Sequence, residues 1–253
     1  MCLILFALRH NPEWPFVLIA NRDEFYERPA EKAHFWGKNP DLLAGRDLQA
    51  GGTWMGIRKK SLRLAALTNY RNPLMNRKES ASRGEIVRNC LESELSPEAF
   101  LKDLKKNHGA YNAFNLICGN PENLFSFSST KNQYEAIVPG IHGLSNHLLD
   151  TPWPKVKRGC HLLEKTLEEG FTEKRLLSIL KDREQPADEE LPDTGIGLEW
   201  ERVLSSIFIR YPGYGTRCST ILLQSKKGEV FFTELSWNEK GEETGRVHFE
   251  WQA

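Results

Sequence analysis

The sequence predicts an α+β fold: a four-layer α-β-β-α sandwich of two mainly antiparallel sheets, formed by a single domain over residues 1–253. Three observations carry this expectation. Apolar segments of strand length fall into three blocks, separated by two blocks of helical spacing. The links between neighbouring strands are short and rich in turn residues, which favours antiparallel pairing. Two separate helical blocks supply a layer for each outer face.

The first strand runs from Cys2 to Leu8, turns through Arg9-His10-Asn11-Pro12-Glu13, and returns as Phe16-Val17-Leu18-Ile19-Ala20, a β-hairpin. Gly51-Gly52-Thr53-Trp54-Met55-Gly56-Ile57 reads as a turn entering a third strand. Leu62 to Leu67 follows the charged turn Arg58-Lys59-Lys60 as a fourth. Ser82-Arg83-Gly84-Glu85 has the form of a capping box, opening a helix to about Glu94. Ser96-Pro97-Glu98 opens the next, with serine as N-cap and proline in the first turn. Strands are expected over Asn112 to Cys118, Asn123 to Ser128 and Gln133 to Val138. Amphipathic helices follow over Val156 to Glu169 and Glu173 to Lys181. The acidic stretch Asp182 to Gly197, with Pro186 and Pro192, reads as a solvated loop rather than a lid. Thr216 to Leu223, Glu229 to Trp237 and Arg246 to Trp251 close the chain as strands.

Composition narrows the function. Hydrophobic content of 40% and charged content of 27% suit a soluble globular protein. A net charge of +0 argues against a general nucleic-acid or anionic-membrane binder, which needs a basic excess. No apolar run approaches the ~18–20 residues of a membrane span. No basic segment precedes Leu3 to Leu8, so a secretory signal is not expected, and no glycine follows Met1 to accept myristate. The five cysteines are Cys2, Cys90, Cys118, Cys160 and Cys218. They are odd in number, widely spaced and without a C-x-x-C pair. That suits a reducing, cytoplasmic location better than a disulfide framework or a zinc site. The histidines form no H-E-x-x-H or H-x₃-H pair, so no metal site is expected, and no phosphate-binding glycine loop occurs.

Cys2 carries the sharpest chemical signal. Cysteine is a small residue of the kind that permits trimming of the initiator methionine. Without Met1, Cys2 would hold a thiol of pKa ~8.5 and an α-amine of ~7.7–8.0 on one residue. The amine could then take the thiol proton and the thiolate attack a carbonyl, the cysteine form of N-terminal-nucleophile chemistry. The plain alternative is a small residue on a buried strand. Asn21-Arg22-Asp23-Glu24 ends the second strand, and the hairpin brings that end beside the start of the first. Arg22 or Asp23 could therefore tune Cys2, or simply form a salt-bridged strand end. Thr68-Asn69-Tyr70-Arg71, Gly143-Leu144-Ser145-Asn146 and Tyr214-Gly215-Thr216-Arg217-Cys218-Ser219-Thr220 each put an amide or guanidinium at a strand end. An asparagine N–H can stabilise an oxyanion, and turn chemistry is the alternative for each. Arg71, Arg77, Lys78, Arg83 and Arg88 thicken the positive charge between the fourth strand and the first helix. They could meet an anionic group, although such a run is more often a solvated surface.

These motifs resemble a known family. Met1-Cys2, Asn21-Arg22-Asp23-Glu24, Arg28-Pro29, Gly51-Gly52-Thr53-Trp54, Thr68-Asn69-Tyr70-Arg71, Ser82-Arg83-Gly84, Gly143-Leu144-Ser145-Asn146, Pro152-Trp153-Pro154-Lys155-Val156 and Tyr214 to Thr220 match, in order, the NRDE family, also called the transport and Golgi organisation protein 2 family. The resemblance runs from residue 1 to about residue 235 and implies an Ntn-hydrolase-like fold. In the related cysteine amidohydrolases of the penicillin V acylase and bile-salt hydrolase group, the mature N-terminal cysteine is the nucleophile. By motif order, Cys2, Arg22, Asp23, Asn69, Asn146 and Arg217 occupy the corresponding site. The implied function is hydrolysis of a small-molecule amide with no cofactor. The family's links to haem trafficking and to lipid or acyl-coenzyme A metabolism imply an alternative, a haem carrier or lipid binder on the same fold.

Overall fold

A run of seven apolar residues with no polar alternation has to bury both faces, and Cys2–Leu8 does so as β1. The structure, a computed structural model, describes residues 2–37, 39–77 and 79–253. The Asn11 side chain closes the first turn by accepting the Glu13 and Trp14 amides at 3.0 Å. The chain then returns as β2 (Phe16–Phe25), antiparallel to β1, with Leu8 opposite Phe16 and Cys2 opposite Arg22.

The remaining elements, in order, are β3 (Ala30–Trp36), β4 (Asn39–Asp47), β5 (Met55–Arg58), β6 (Leu64–Asn69), α1 (Gly84–Glu92), α2 (Pro97–Asn107), β7 (Phe114–Gly119), β8 (Leu124–Ser128), β9 (Gln133–Ala136), β10 (Gly140–Leu144), α3 (Pro154–Glu168), α4 (Glu173–Leu180), α5 (Leu198–Val203), β11 (Arg210–Tyr211), β12 (Tyr214–Gln224), β13 (Glu229–Trp237) and β14 (Glu243–Gln252). They form two compact units: Met1–Glu27, Pro139–Ser145 and Leu149–Gln252 in the first, and Arg28–Val138 with Asn146–Leu148 and Ala253 in the second. The protein is α+β, with two antiparallel sheets and few helices. Among the described residues no helix is long and apolar enough to cross a membrane.

In the first unit the sheet runs β10-β1-β2-β12-β13-β14, with β11 beside β12. Alternate residues of three strands, Leu3 and Leu5, Val17 and Ile19, Ile221 and Leu223, meet Val156 and Leu163 of α3 and Leu176 and Ile179 of α4. Each such side chain contributes about 1.5–3 kcal/mol by leaving water. Gly159 allows α3 to lie close on β1: a Cβ there would stand 2.5 Å from Leu5 Cδ1.

In the second unit the sheet is a meander, β3-β4-β5-β6-β7-β8-β9. Leu42, Leu67, Phe114 and Leu116 pack under Ile86, Val87 and Leu91 of α1 and Leu101 of α2. The α2 start follows the sequence expectation, with Ser96 Oγ accepting the Ala99 amide at 3.2 Å and Pro97 in the first turn. The α1 start does not. Arg83 rather than Ser82 is the N-cap; its backbone is helical (φ −60°, ψ −23°) and no side chain caps the helix. Backbone docking fixes this end instead. The Thr53 amide donates to the Gly84 carbonyl at 3.3 Å, and a Cβ on Gly52 would stand 2.5 Å from the Gly84 carbonyl carbon.

Five elements were not anticipated: β3, β4, β10, β11 and α5. Residues Asp182 to Gly197 are mostly exposed, with a single 3₁₀ turn at Asp188–Glu190 paired to Arg202. The solvated-loop expectation fits that exposure.

Candidate functional site

The hairpin places Cys2 directly opposite Arg22 on β2, and Arg22 lies opposite Cys218 on β12. The alternation that sends Leu3, Asn21 and Ile221 toward the helices puts Cys2 and Arg22 on the other face. Cys2 is 7% exposed and Arg22 9%. Arg22 also pairs with Glu24 at 3.8 Å.

Asp23, 1% exposed, follows on the helix-covered side. Its Oδ1 accepts the Thr216 hydroxyl at 2.7 Å, and Thr216 Oγ1 in turn accepts the Ile209 amide at 2.9 Å. Burial raises the Asp23 pKa above the usual carboxylate value, opposed most strongly by the ammonium of Lys155. Lys155 lies in the first turn of α3 and is itself 4% exposed. Sequence reasoning assigned it no role, nor one to Thr216. The available signal was position: a lysine between Pro154 and Val156 at the start of an amphipathic helix, on the face that packs inward.

The Cys2 thiol is pushed up to about 11, chiefly by burial. The Asp23 carboxylate also raises it, whereas Arg22 and a hydrogen bond from the Asp23 backbone amide pull it down. With the thiol in this state Cys2 is protonated at neutral pH, and nucleophilic work needs a base beside it. Ser145 Oγ donates to the Cys2 carbonyl at 3.3 Å and fixes the end of β1 to the end of β10. The neighbouring Cys218 thiol is raised well above its usual value by burial and then by the Glu234 carboxylate.

Arg217 occupies a β-bulge. Thr216 pairs with Asp23 and Cys218 with Arg22, so Arg217 has no opposite residue. Its Nη1 donates to the Phe25 carbonyl at 2.8 Å, and its guanidinium lies over the Tyr26 ring, 5.6 Å from the centroid. Burial, then the charge of Arg22, lowers its pKa. The two guanidiniums repel each other on one sheet, and the Glu24 carboxylate acts on both.

Asn21, the first residue of the Asn-Arg-Asp-Glu run, is structural. Its Nδ2 donates to the Leu180 and Ile207 carbonyls at 2.8 and 2.9 Å, and its Oδ1 accepts the Ser219 hydroxyl at 2.6 Å. Three interior bonds tie β2 to the end of α4, to the segment between α5 and β11, and to β12.

The two asparagines lie together in the second unit. Asn146 is fully buried; its Nδ2 donates to the Asn69 carbonyl at 3.0 Å, and its own carbonyl accepts the Arg71 amide at 2.7 Å. Beside them Tyr70 Oη and His147 Nε2 share a hydrogen bond at 2.7 Å, while Asn115 Nδ2 donates to the His147 carbonyl at 2.7 Å. Burial, and then the charge of Lys131, lowers the His147 pKa. The six candidates thus fall into two groups: Cys2, Arg22, Asp23 and Arg217 in the first unit, Asn69 and Asn146 in the second.

The basic run is largely committed to the fold. Arg71 is buried, Arg77 donates to the Gly109 and Tyr111 carbonyls, Arg83 to the Ala113 carbonyl, and Arg88 pairs with Glu92 at 3.9 Å. Lys78 and Met1 lie outside the described residues. Among the described residues no cluster of three or more histidine, cysteine or acidic side chains could hold a metal ion.

Comparison with known proteins agrees with the motif order. The chain matches the Transport and Golgi organisation 2 family over residues 1–239. It is 38% identical over 262 residues to the Transport and Golgi organization protein 2 homolog of Bos taurus, covering 93% of this chain and 93% of that protein. The Homo sapiens homolog is 36% identical, with 95% and 94% covered. Transport and Golgi organization protein 2 of Drosophila melanogaster is 26% identical, with 92% and 91% covered. With the family matched over nearly the whole chain and relatives above one-third identity end to end, this protein belongs to the Transport and Golgi organisation 2 family.

Proposed function

We propose that this protein is a cysteine amidohydrolase of the N-terminal-nucleophile kind, with Cys2 attacking the carbonyl of a small-molecule amide. The observation that carries the reading is the register of β1, β2 and β12, which sets Cys2 opposite Arg22 and next to the Asp23 amide, with Asp23 bonded to Thr216. The reading extends to an Ntn-hydrolase-like α-β-β-α architecture, supported by two antiparallel sheets that each carry helices.

Removal of Met1 would give Cys2 an α-amine within reach of its own thiol. The amine takes the thiol proton, and sulfur adds to the amide carbon. The resulting oxyanion needs N–H donors beside the reacting carbon. As the C–N bond breaks, the α-ammonium returns its proton to the leaving nitrogen, and water then cleaves the thioester. Arg22 and Asp23 set the charge around the thiol, and Arg22 with Arg217 favours a substrate bearing an anionic group.

The test is intact mass after a brief pulse of a thiol alkylator, with the modified site mapped, followed by an amide-substrate screen. The expected result is loss of Met1, labelling of Cys2 ahead of the other four cysteines, and turnover that Cys2→Ala abolishes. Retained Met1, or a Cys2 no more reactive than Cys160, sinks the nucleophile. Turnover by Cys2→Ala at the wild-type rate sinks the mechanism.

A further inference from the structure

The second unit holds two thiols that the proposed hydrolysis does not use. Cys90 lies on the buried face of α1, and Cys118 lies on β7 within the same apolar cluster. Both are fully buried, and their Sγ atoms stand 2.7 Å apart. A disulfide is about 2.05 Å long, so bond formation needs the sulfurs to approach by only about 0.7 Å. Arg63 bends over the end of α1 and donates to the carbonyls of Cys90, Ser93 and Leu95. Its guanidinium favours the Cys90 thiolate, although burial and the facing thiol together hold that thiol well up.

We propose that Cys90 and Cys118 are a redox-modification site, oxidised by a hydroperoxide to an intramolecular disulfide that staples α1 to β7. The chemistry balances in two steps. One thiolate attacks a peroxide oxygen: an S–O bond forms, the O–O bond breaks, and water leaves after taking a proton. The second sulfur then attacks the sulfenic sulfur: the S–S bond forms, the S–O bond breaks, and a second water leaves. Two thiols are oxidised and one hydrogen peroxide is reduced to two waters.

Burial governs when this happens. Peroxide reaches the pair only when α1 opens locally, so oxidation is slow in the native protein and fast while the chain refolds. The bond would join residues 28 positions apart and enclose α2, a loop long enough for a clear gain in stability. The inference does not depend on the reading of Cys2.

The test uses the full chain, with a Cys2→Ala version in parallel so that oxidation at Cys2 cannot be mistaken for the pair. Each is refolded with hydrogen peroxide or with dithiothreitol, unfolded, alkylated and digested without reduction. The expected result is a cross-linked peptide pair carrying Cys90 and Cys118, two hydrogens lighter than the reduced peptides. It should appear faster on refolding than in the native protein, with a Tm several degrees above the reduced form. Alkylation of both cysteines after peroxide treatment overturns the proposal, as does pairing of either with another cysteine or conversion of both to sulfinic acids. The readout needs no substitution at the pair, so a variant that fails to fold cannot obscure it.

Discussion

Lys155→Met keeps the aliphatic stem of a buried side chain and removes only its ammonium. Burial already holds Asp23 above its ordinary pKa, and Lys155 is the strongest opposing influence. Without that cation the carboxylate sits in an interior site with the Thr216 hydroxyl and the weaker influence of Arg22. Stranding one partner of a buried charge pair costs about 3–5 kcal/mol, and the Thr216 bond favours the lower end. At about 2–4 °C per kcal/mol for a chain of this size, Tm should fall by roughly 6–12 °C at neutral pH. The pH dependence has a definite sign. The folded variant holds Asp23 at a pKa above its unfolded value, so it binds a proton that the unfolded chain has released. The penalty is complete above the folded pKa and disappears as pH falls through it toward the unfolded value near 3.8. The deficit against wild type should therefore shrink as pH falls from neutral toward the ordinary carboxylate range. Urea midpoints for wild type, Lys155→Met, Asp23→Asn and the double variant, taken across that range, form the cycle. The double variant should recover most of the loss, with a coupling of about 2 kcal/mol or more. A coupling under about 0.5 kcal/mol, or a deficit that grows as pH falls, would refute the argument.

Asn21→Ala should cost at least about 3 kcal/mol in urea titration, because three interior partners lose their bond. The Cys2 alkylation rate of its folded fraction should match wild type; unchanged stability with slower alkylation would show Asn21 acting on the thiol instead. Gly52→Ala forces a Cβ against the Gly84 backbone and should lower stability by about 1–3 kcal/mol, whereas Gly109→Ala, with nothing within 4 Å, should stay within about 0.5 kcal/mol. Equal thermal shifts for these two glycines would refute the docking of α1.

Strongly patterned segments were legible in the sequence. The continuous apolar run of β1 and the Ser96-Pro97 start of α2 both carry signals that local structure alone satisfies. Those that failed carry tertiary causes. β3 and β4 pair with register shifts between Glu31 and His34 and between Phe35 and Trp36, which breaks the two-residue period, and Pro40 lies within β4. Gly140 and Gly143 interrupt the apolar pattern of β10, which exists because it pairs with β1. The Ser82 motif had capping-box spacing, but the Gly52–Gly84 contact determines the helix start. In the site, the hairpin alone brought Arg22 to Cys2. Neither the structural work of Asn21 nor the charge of Lys155 on Asp23 could be read without the helices that meet the sheet.

The bulge at Arg217 makes β12 a strand with two phases. Residues 214–216 count against 23–25, and residues 218–224 count against 16–22. Elsewhere in the strand, losing one residue would turn every later side chain to the wrong face. Loss of residue 217 alone would leave Thr216 opposite Asp23, Cys218 opposite Arg22 and the ladder unbroken. A one-codon deletion at this site is therefore the length change β12 is built to survive. It would take away the guanidinium while sparing the sheet, a cleaner excision than any side-chain replacement that leaves the extra backbone in place.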